Sequence, residues 1–288
     1  MSSIKQFRHA LTFNLLCLAF AWQLAYSDSV TLNPVADATL SQVEPDNNFG
    51  GSDLTSGGSQ DGNGDPIIYR ALLKFNLTGI PTNAVVTNVA LTVRVTVTDG
   101  VNSTFELHRM TQAWVENAAT WNSPWSSGGA DGAYVASASA SKAISGIASY
   151  TFTSSASLIA DAQRWVTNSG ANSGWILISQ FETTPATIRS FASRENGTAT
   201  NRPSLVVQYS VPQIVAQPTM TQIRLTNNSF RFSFAVQAGR TYGVEYRGLL
   251  GTGSWTTLTN ISAQAAPTNI IVLDPLTTSN RYYRVRTP

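Results

Sequence analysis

The sequence predicts an all-β protein made of two antiparallel β-sandwiches, the first jelly-roll-like and the second smaller and immunoglobulin-like. Many short segments alternate apolar and polar residues with a period of two, as half-buried strands do. Clusters of Gly, Asn, Asp and Ser separate these segments, which is typical of antiparallel sheets. Charged residues make up only 12% of the chain, so hydroxyls and amides must solvate most of the surface.

The first element in chain order is an export signal, predicted over residues 1–27. Lys5 and Arg8 give it a positive start, an apolar run follows, and small residues precede a cleavage site before Asp28. The apolar run is shorter than the roughly 20 residues that a membrane-spanning helix needs, so we expect cleavage rather than retention as an anchor. The mature chain is therefore expected to be secreted, extracellular or at the cell surface, without a membrane span.

A first module is predicted over residues 28–210. Apolar and polar side chains alternate over residues 89–98, and residues 71–77 repeat this pattern. Residues 175–178 form a continuous apolar run, which is typical of a central strand. Residues 47–66 are rich in Gly, Asp, Asn and Ser, so we expect one long loop there.

One helix is expected within this first module. Its apolar residues fall on a single helical stripe, made of Leu158, Ile159, Ala162, Trp165 and Val166. Ser154 or Ser155 would cap its first turn. The polar and glycine-containing stretch at residues 168–174 would end it.

A linker is predicted at residues 211–218, followed by a second module at residues 219–288. Phe230, Phe232 and Phe234 alternate with smaller or polar residues, as in a half-buried strand. The module is shorter than the roughly 100 residues of an immunoglobulin domain. We therefore expect a small immunoglobulin- or fibronectin-like β domain.

The two modules differ in charge. Residues 28–210 contain nine basic and fourteen acidic residues, whereas the residues after 210 contain seven basic and two acidic ones. The basic second module would attract either an anionic partner, such as an acidic polysaccharide, or the acidic first module; both interpretations stay open. No basic stripe with stacking aromatics is evident, so nucleic acid is not an expected partner.

The composition also argues against catalysis. Cys17 is the single cysteine and lies in the signal, so the mature chain can form neither a disulfide nor a thiolate metal site. His108 is the only histidine outside the signal. The sequence has no Gly-x-Ser-x-Gly elbow and no phosphate-binding loop, and no spacing pairs two carboxylates as glycosidases require. We expect no enzymatic activity and no cofactor.

Several blocks of the first module resemble the DNRLRE domain, also called the disaggregatase-related domain and classed as carbohydrate-binding module family 96. The resemblance covers residues 29–210, and the blocks that carry it occur in the family's order at residues 36–39, 46–50, 70–77, 107–116, 119–122, 191–195 and 202–207. It implies a jelly-roll-like sandwich that binds glycans, and characterised members bind polysaccharides, alginate among them. The second module is more loosely similar to small β-sandwich units of secreted bacterial proteins, which implies no ligand.

Polysaccharide binding requires aromatic rings that stack on sugars, and cations where the sugars carry carboxylates. Four of the cations in the family blocks are candidates for this role: Arg70, Lys74, Arg109 and Arg194. Arg70 and Lys74 fall on the strand face opposite Ala71, Leu73 and Phe75. We therefore expect both to line an outer or concave surface that holds uronate carboxylates.

Arg109 differs from the other cations because it shares a strand face with Phe105 and Leu107. A buried arginine needs a carboxylate partner. Two interpretations stay open: an ion pair with Glu116 or Glu195, or a contact to the ligand.

Trp125 is the predicted stacking residue. It follows Trp121 in a short segment with loop character, which would expose its ring. Large apolar residues are usually buried, so we expect Trp121 to belong to the core.

No cofactor is expected, and a bound calcium ion is the alternative. The loop at residues 61–65 offers side-chain oxygens at alternate positions, as calcium loops do, but Leu72 stands where an EF-hand has its last glutamate. Such loops are more often solvated turns. Asp37 and Asp46 offer a second possible pair of ligands.

Together these observations predict a secreted, non-catalytic protein that binds a polysaccharide, with an acidic polymer similar to alginate as the candidate ligand. Its predicted ligand-binding residues are Arg70, Lys74, Arg109, Trp125 and Arg194. The alternative is a structural or adhesive component of the cell envelope or extracellular matrix, which would contact other envelope or matrix components and no specific sugar. The same sandwich would serve either function.

Overall fold

The computed structural model describes residues 25–212, 217–226, 229–249, 253–275 and 281–287, and it confirms the all-β class. These residues separate into two compact units, Ala25–Pro212 and the described residues from 217 onwards. Most of the predicted export signal, and part of the predicted linker, lie outside the described residues. No helix within the described ranges combines the length and the apolar character needed to cross a bilayer.

The first unit contains eleven strands, one α-helix and three short 3-10 helices. The strands are β1 (Ala25–Leu32), β2 (Pro34–Ser41), β3 (Leu54–Gln60), β4 (Pro66–Phe75), β5 (Val85–Thr98), β6 (Ser103–Arg109), β7 (Ala140–Ile144), β8 (Ser149–Phe152), β9 (Trp175–Ser179), β10 (Arg189–Phe191) and β11 (Ser204–Pro212). The helix α1 spans Ala156–Thr167, and the 3-10 helices span Gly128–Ala130, Ser169–Ala171 and Ala199–Asn201.

All strand pairs of this unit are antiparallel, in the order β1-β11-β5-β10-β3-β4-β9-β6-β7, with β2 paired to β4 and β8 paired to β5. The sheet curls so that β5 and β11 lie across the main core from β4, β6 and β9. Of the five alternating residues that the sequence places on one face of β5, Val89, Leu91, Val93 and Val95 are buried in this core, whereas Val97 is 59% exposed. The alternation of apolar and polar residues in the sequence therefore correctly predicts this strand and the face that it buries over residues 89–95.

A second apolar cluster lies on the other face of β4 and β9. Leu72 belongs to this cluster, whereas Leu73 belongs to the main core. The long connection between β6 and β7 covers the cluster with buried side chains from Met110, Trp114, Trp125 and Ala133. Both faces of β4 are therefore buried in this region, which determines the environment of the predicted site residues.

Helix α1 forms where the apolar stripe predicts it. The Oγ of Ser155 accepts a hydrogen bond from the backbone N–H of Leu158 at 3.0 Å, which is an N-cap. The helix buries Trp165 against Trp175 of β9, with ring centroids 4.4 Å apart. The cap and the stripe together fix which helix face joins the main core.

The prediction of one long loop over residues 47–66 is wrong, because β3 lies within it. The glycines of β3 that suggest a loop are required by close packing instead. Gly57 has φ +115°, and a Cβ on Gly58 would lie 2.2 Å from the carbonyl oxygen of Glu182. Glycine is used here because another backbone segment approaches the strand.

The described residues of the second unit form two three-stranded antiparallel sheets, β12-β13-β16 and β15-β14-β17. Their strands are β12 (Thr221–Thr226), β13 (Ser229–Val236), β14 (Tyr242–Arg247), β15 (Thr256–Ile261), β16 (Thr268–Pro275) and β17 (Tyr282–Arg286). Phe230, Phe232 and Phe234 are buried in its core, as their alternation predicts. Its likeness to an immunoglobulin domain stays a prediction.

Candidate functional site

Arg70 is buried in an ion-pair network rather than exposed on an outer surface. Its guanidinium donates to both carboxylate oxygens of Glu182, at 2.7 and 3.0 Å, and to Asp131 at 2.6 Å. It also lies 5.6 Å from the ring centroid of Trp121. Burial alone would lower the pKa of Arg70, but the bonds to Glu182 and Asp131 raise it on balance. The expected outer position was wrong because the β6–β7 connection covers that face of β4.

Trp125 is also buried, with 6% of its surface exposed. Its indole Nε1 donates to the carbonyl oxygen of Thr120 at 2.9 Å. The expectation that its loop exposes the ring is therefore wrong. The loop belongs to the β6–β7 connection, which covers the second apolar cluster. Trp121 is half-buried and packs against Gly129, as expected of a core residue.

Arg109 forms an ion pair, but its partner is Asp161 rather than Glu116 or Glu195. Arg109 Nε lies 3.0 Å from Asp161 Oδ1. Asp161 Oδ2 accepts hydrogen bonds from Trp175 Nε1 at 2.9 Å and from Ser139 Oγ at 2.5 Å. This carboxylate on α1 therefore satisfies three polar groups from β6, β9 and the β6–β7 connection.

Arg194 lies among three carboxylates. Its Nη1 donates to Glu116 Oε2 at 2.6 Å, and its Nε lies 3.2 Å from Glu195 Oε1. Its backbone N–H donates to Asp37 Oδ2 at 2.8 Å. Carboxylate oxygens of Asp37, Glu116 and Glu195 all lie within 4.8 Å of one another. Three carboxylates thus surround one guanidinium, which is already engaged with two of them.

Asp37 is the buried member of this carboxylate cluster. Its side chain is fully buried, and its Oδ1 has no hydrogen-bond partner among the described residues. Burial raises the pKa of Asp37 to about 8; the charges of Glu195 and Glu116 add to this rise, and the N–H of Arg194 opposes it. The charged form of Asp37 is therefore disfavoured in this buried position.

Sequence reasoning assigned no role to Asp37, Glu116 and Glu195 as a group. Each is 79 residues from the next along the chain, so no local spacing connects the three. Each belongs to a block that carries the family resemblance, at residues 36–39, 107–116 and 191–195. Their membership in family blocks was the one sign in the sequence that these residues could form a site. The structure brings the three side chains together.

Lys74 is the predicted site cation that keeps a free ammonium group. Within the described residues it has no ion-pair partner, in contrast to Arg70, Arg109 and Arg194. It lines a pocket of about 200 Å³ on the first unit. The other lining residues are Val35, Phe75, Asn76, Leu77, Thr78, Trp165, Ser169 and Asn172. This pocket combines a cation with amide, hydroxyl and apolar groups.

A second pocket of the first unit, of about 270 Å³, has the opposite charge. It is lined by the aromatic residues Phe49 and Tyr69 together with Glu44 and Asp53. Its carboxylates would repel a uronate and favour a neutral sugar.

The loop at residues 61–65 is the hairpin turn between β3 and β4. Asp61 Oδ1 accepts hydrogen bonds from the backbone N–H groups of Asn63 at 2.8 Å and Asp65 at 2.9 Å. These bonds lower the pKa of Asp61. The Asp61 carboxylate thus stabilises the turn in which it lies, by accepting hydrogen bonds from the backbone of that turn. Asp46, the other residue considered as a calcium ligand, accepts instead from Asn122 Nδ2 at 2.9 Å.

Part of the positive charge of the second unit is used internally. Arg284 and Arg286 both pair with Glu245, at 2.6 and 2.8 Å. The guanidinium groups of Arg247 and Arg284 lie 4.4 and 4.3 Å from the ring centroid of Trp255. These contacts reduce the basic surface that is available for an anionic partner.

Comparison with known proteins supports the resemblance seen in the sequence. The profile of carbohydrate-binding module family 96 matches residues 28–209. No curated protein sequence matches the chain significantly. Two allantoicase structures, one of them from Saccharomyces cerevisiae, align with 76% of this chain and 76% of their own, at 9% identity and TM-scores of 0.20 and 0.21. At these scores the alignment bears on neither fold nor function.

Proposed function

Because this chain belongs to carbohydrate-binding module family 96 through residues 28–209, we propose that it is a secreted, non-catalytic protein that binds an acidic polysaccharide through its first unit. A carbohydrate is the partner that membership in the family indicates. The finer assignment, to a polymer that carries carboxylates as alginate does, rests on the Lys74 pocket. Secretion rests on the predicted export signal.

The observation that carries the proposal is the position of Lys74. Arg70, Arg109 and Arg194 each pair with a carboxylate of the protein, which leaves their positive charge compensated. Lys74 is half-buried, lines an open pocket and has no such partner among the described residues. A lysine held in this way attracts the carboxylate of a ligand.

The rest of the pocket suits a sugar ring. Asn76 and Asn172 offer amide groups, and Ser169 offers a hydroxyl, for hydrogen bonds to sugar hydroxyls. Val35, which is 48% exposed, offers apolar contact to the C–H face of a ring. Asn172 is itself fixed, because its Nδ2 donates to the carbonyl oxygen of Phe75 at 2.7 Å. A pre-positioned amide costs less entropy when it binds a ligand.

Replacing Lys74 by alanine should weaken binding to alginate about tenfold, because a charge-assisted hydrogen bond at a partly exposed site contributes on the order of 1.5 kcal/mol. Calorimetric titration of the mature protein with alginate oligomers would measure this loss. Lys142→Ala is the matched control, since Lys142 is also half-buried and unpaired among the described residues but lies on β7, outside the pocket. The wild-type affinity should also fall with added salt.

If Lys74→Ala and Lys142→Ala lost the same affinity for alginate, the loss would be a non-specific charge effect. The Lys74 pocket would then not be the binding site. A loss of binding in Tyr69→Ala, with Lys74→Ala unaffected, would place the sugar in the acidic pocket instead. A screen against alginate, pectin, xylan and chitin tests the function itself. Binding to none of them would favour the alternative of a structural or adhesive component.

A further inference from the structure

The carboxylate cluster around Asp37 has an uncompensated negative charge. Asp37, Glu116 and Glu195 contribute three carboxylates within 4.8 Å of one another, and Arg194 is the one cation paired with them in the part of the chain that the structure describes. With all groups ionised, two negative charges remain. From this geometry we propose that Asp37, Glu116 and Glu195 bind one calcium ion.

The buried oxygen of Asp37 is the observation that separates this cluster from an ordinary acidic patch. Asp37 Oδ2 accepts from the backbone N–H of Arg194, whereas Oδ1 is buried and has no hydrogen-bond partner among the described residues. A buried polar atom without a partner destabilises the folded state, because it has lost its hydrogen bonds to water and gained none in exchange. A metal ion that Oδ1 binds would remove this cost.

The donor set favours calcium over other metals. All candidate ligand atoms are carboxylate oxygens, without the imidazole or thiolate groups that zinc prefers. The side chains of Glu116 and Glu195 are 24% and 33% exposed, so water can complete the coordination shell. Calcium accepts six to eight oxygens in flexible geometry, whereas magnesium demands a near-ideal octahedron.

A calcium ion here would connect segments that are distant in sequence. Asp37 lies on β2, Glu116 in the β6–β7 connection and Glu195 after β10. The segment that carries Glu116 is already fixed, because Asn48 Nδ2 donates to its carbonyl oxygen at 2.7 Å. The ion would therefore stabilise the connection that covers the second apolar cluster. This proposal does not depend on which glycan the protein binds.

The test uses the mature protein, freed of metal by dialysis against chelator and then titrated with CaCl2 in a calorimeter. We expect one calcium ion to bind per chain, and magnesium to bind more weakly. At a calcium concentration 100 times the dissociation constant, the melting temperature should rise by about 5 to 10 °C. Excess EDTA should reverse the rise.

Two variants locate the ion. Asp37→Asn should abolish both the binding heat and the rise in melting temperature. Because Asp37 is buried and this variant could fail to fold, Glu195→Gln provides a second test at a partly exposed position, with calcium affinity expected to fall at least about tenfold, since ligand charge sets affinity. Asp61→Asn is the matched control, and its calcium response should equal that of the wild type.

Absence of any heat or melting shift with calcium would overturn the proposal, and a proton shared between Asp37 and Glu195 would then account for the cluster. Unchanged calcium affinity in Glu195→Gln would also overturn it. Loss of the response in Asp61→Asn would place the ion in the β3–β4 hairpin instead. Tighter binding of magnesium than of calcium would refute the choice of metal.

Discussion

Replacing Arg70 by methionine should lower the free energy of unfolding of the first unit by about 3 kcal/mol and leave the polysaccharide affinity of the folded protein unchanged. Removal of one partner from a buried ion pair leaves the other charge uncompensated, at a cost of roughly 3 to 5 kcal/mol. The lower figure applies here, because the Glu182 side chain is 18% exposed and Asp131 is 57% exposed. Methionine keeps the apolar contacts of the stem and removes only the charge and its hydrogen bonds.

Urea unfolding followed by tryptophan fluorescence would measure this loss. Five of the seven tryptophans lie in the first unit, so the signal reports mainly on that unit: Trp114, Trp121, Trp125, Trp165 and Trp175. Arg94→Met is the matched control, since Arg94 is half-buried on β5 and has no ion pair within the described residues. A weaker affinity of Arg70→Met with unchanged stability would restore Arg70 to the binding site.

Arg70 also shows where inference from the sequence reaches its limit. Alternation along β4 correctly separates Leu73 and Phe75 from Arg70, Leu72 and Lys74. It does not say what covers the second face. The cover is the β6–β7 connection, whose contact with β4 depends on tertiary packing. The strand and its two faces were therefore predictable from the sequence, whereas the burial of Arg70 was not.

The same limit applies to Trp125, with a different cause. The segment around it contains Pro, Ser and Gly, which correctly indicate irregular backbone. Loops are usually exposed, and that generalisation produced the wrong expectation. Here the loop carries apolar side chains onto β4 and β9, so the irregular backbone forms part of a core.

Pairings between distant residues were the least predictable feature of the site. The family blocks identify Glu116, Arg194 and Glu195 as members of one domain, but their sequence separation does not reveal that Arg194 contacts both glutamates. One of the two interpretations of Arg109 paired it with one of those glutamates, and the structure pairs it with Asp161 instead. Asp161 lies on the polar side of a helical stripe, where sequence patterns predict contact with solvent.

Replacing Asp161 by alanine should lower the free energy of unfolding by about 4 kcal/mol. The substitution would leave Trp175 Nε1 and Ser139 Oγ without an acceptor, at a cost of about 1 to 3 kcal/mol for each buried group. It would also leave the Arg109 guanidinium, 20% exposed, without its carboxylate. Denaturant unfolding gives the loss, and Asp131→Ala is the control, because its more exposed carboxylate should cost less than about 1.5 kcal/mol.

A double-mutant cycle with Arg109→Met separates a structural Arg109 from a ligand contact. If Arg109 exists to pair with Asp161, the double variant should lose less stability than the two single losses added together, since no unpaired charge remains once both are removed. The expected coupling is about 1.5 kcal/mol or more, and polysaccharide affinity should stay constant in Arg109→Met. Additive stability losses together with a drop in affinity would assign Arg109 to the sugar.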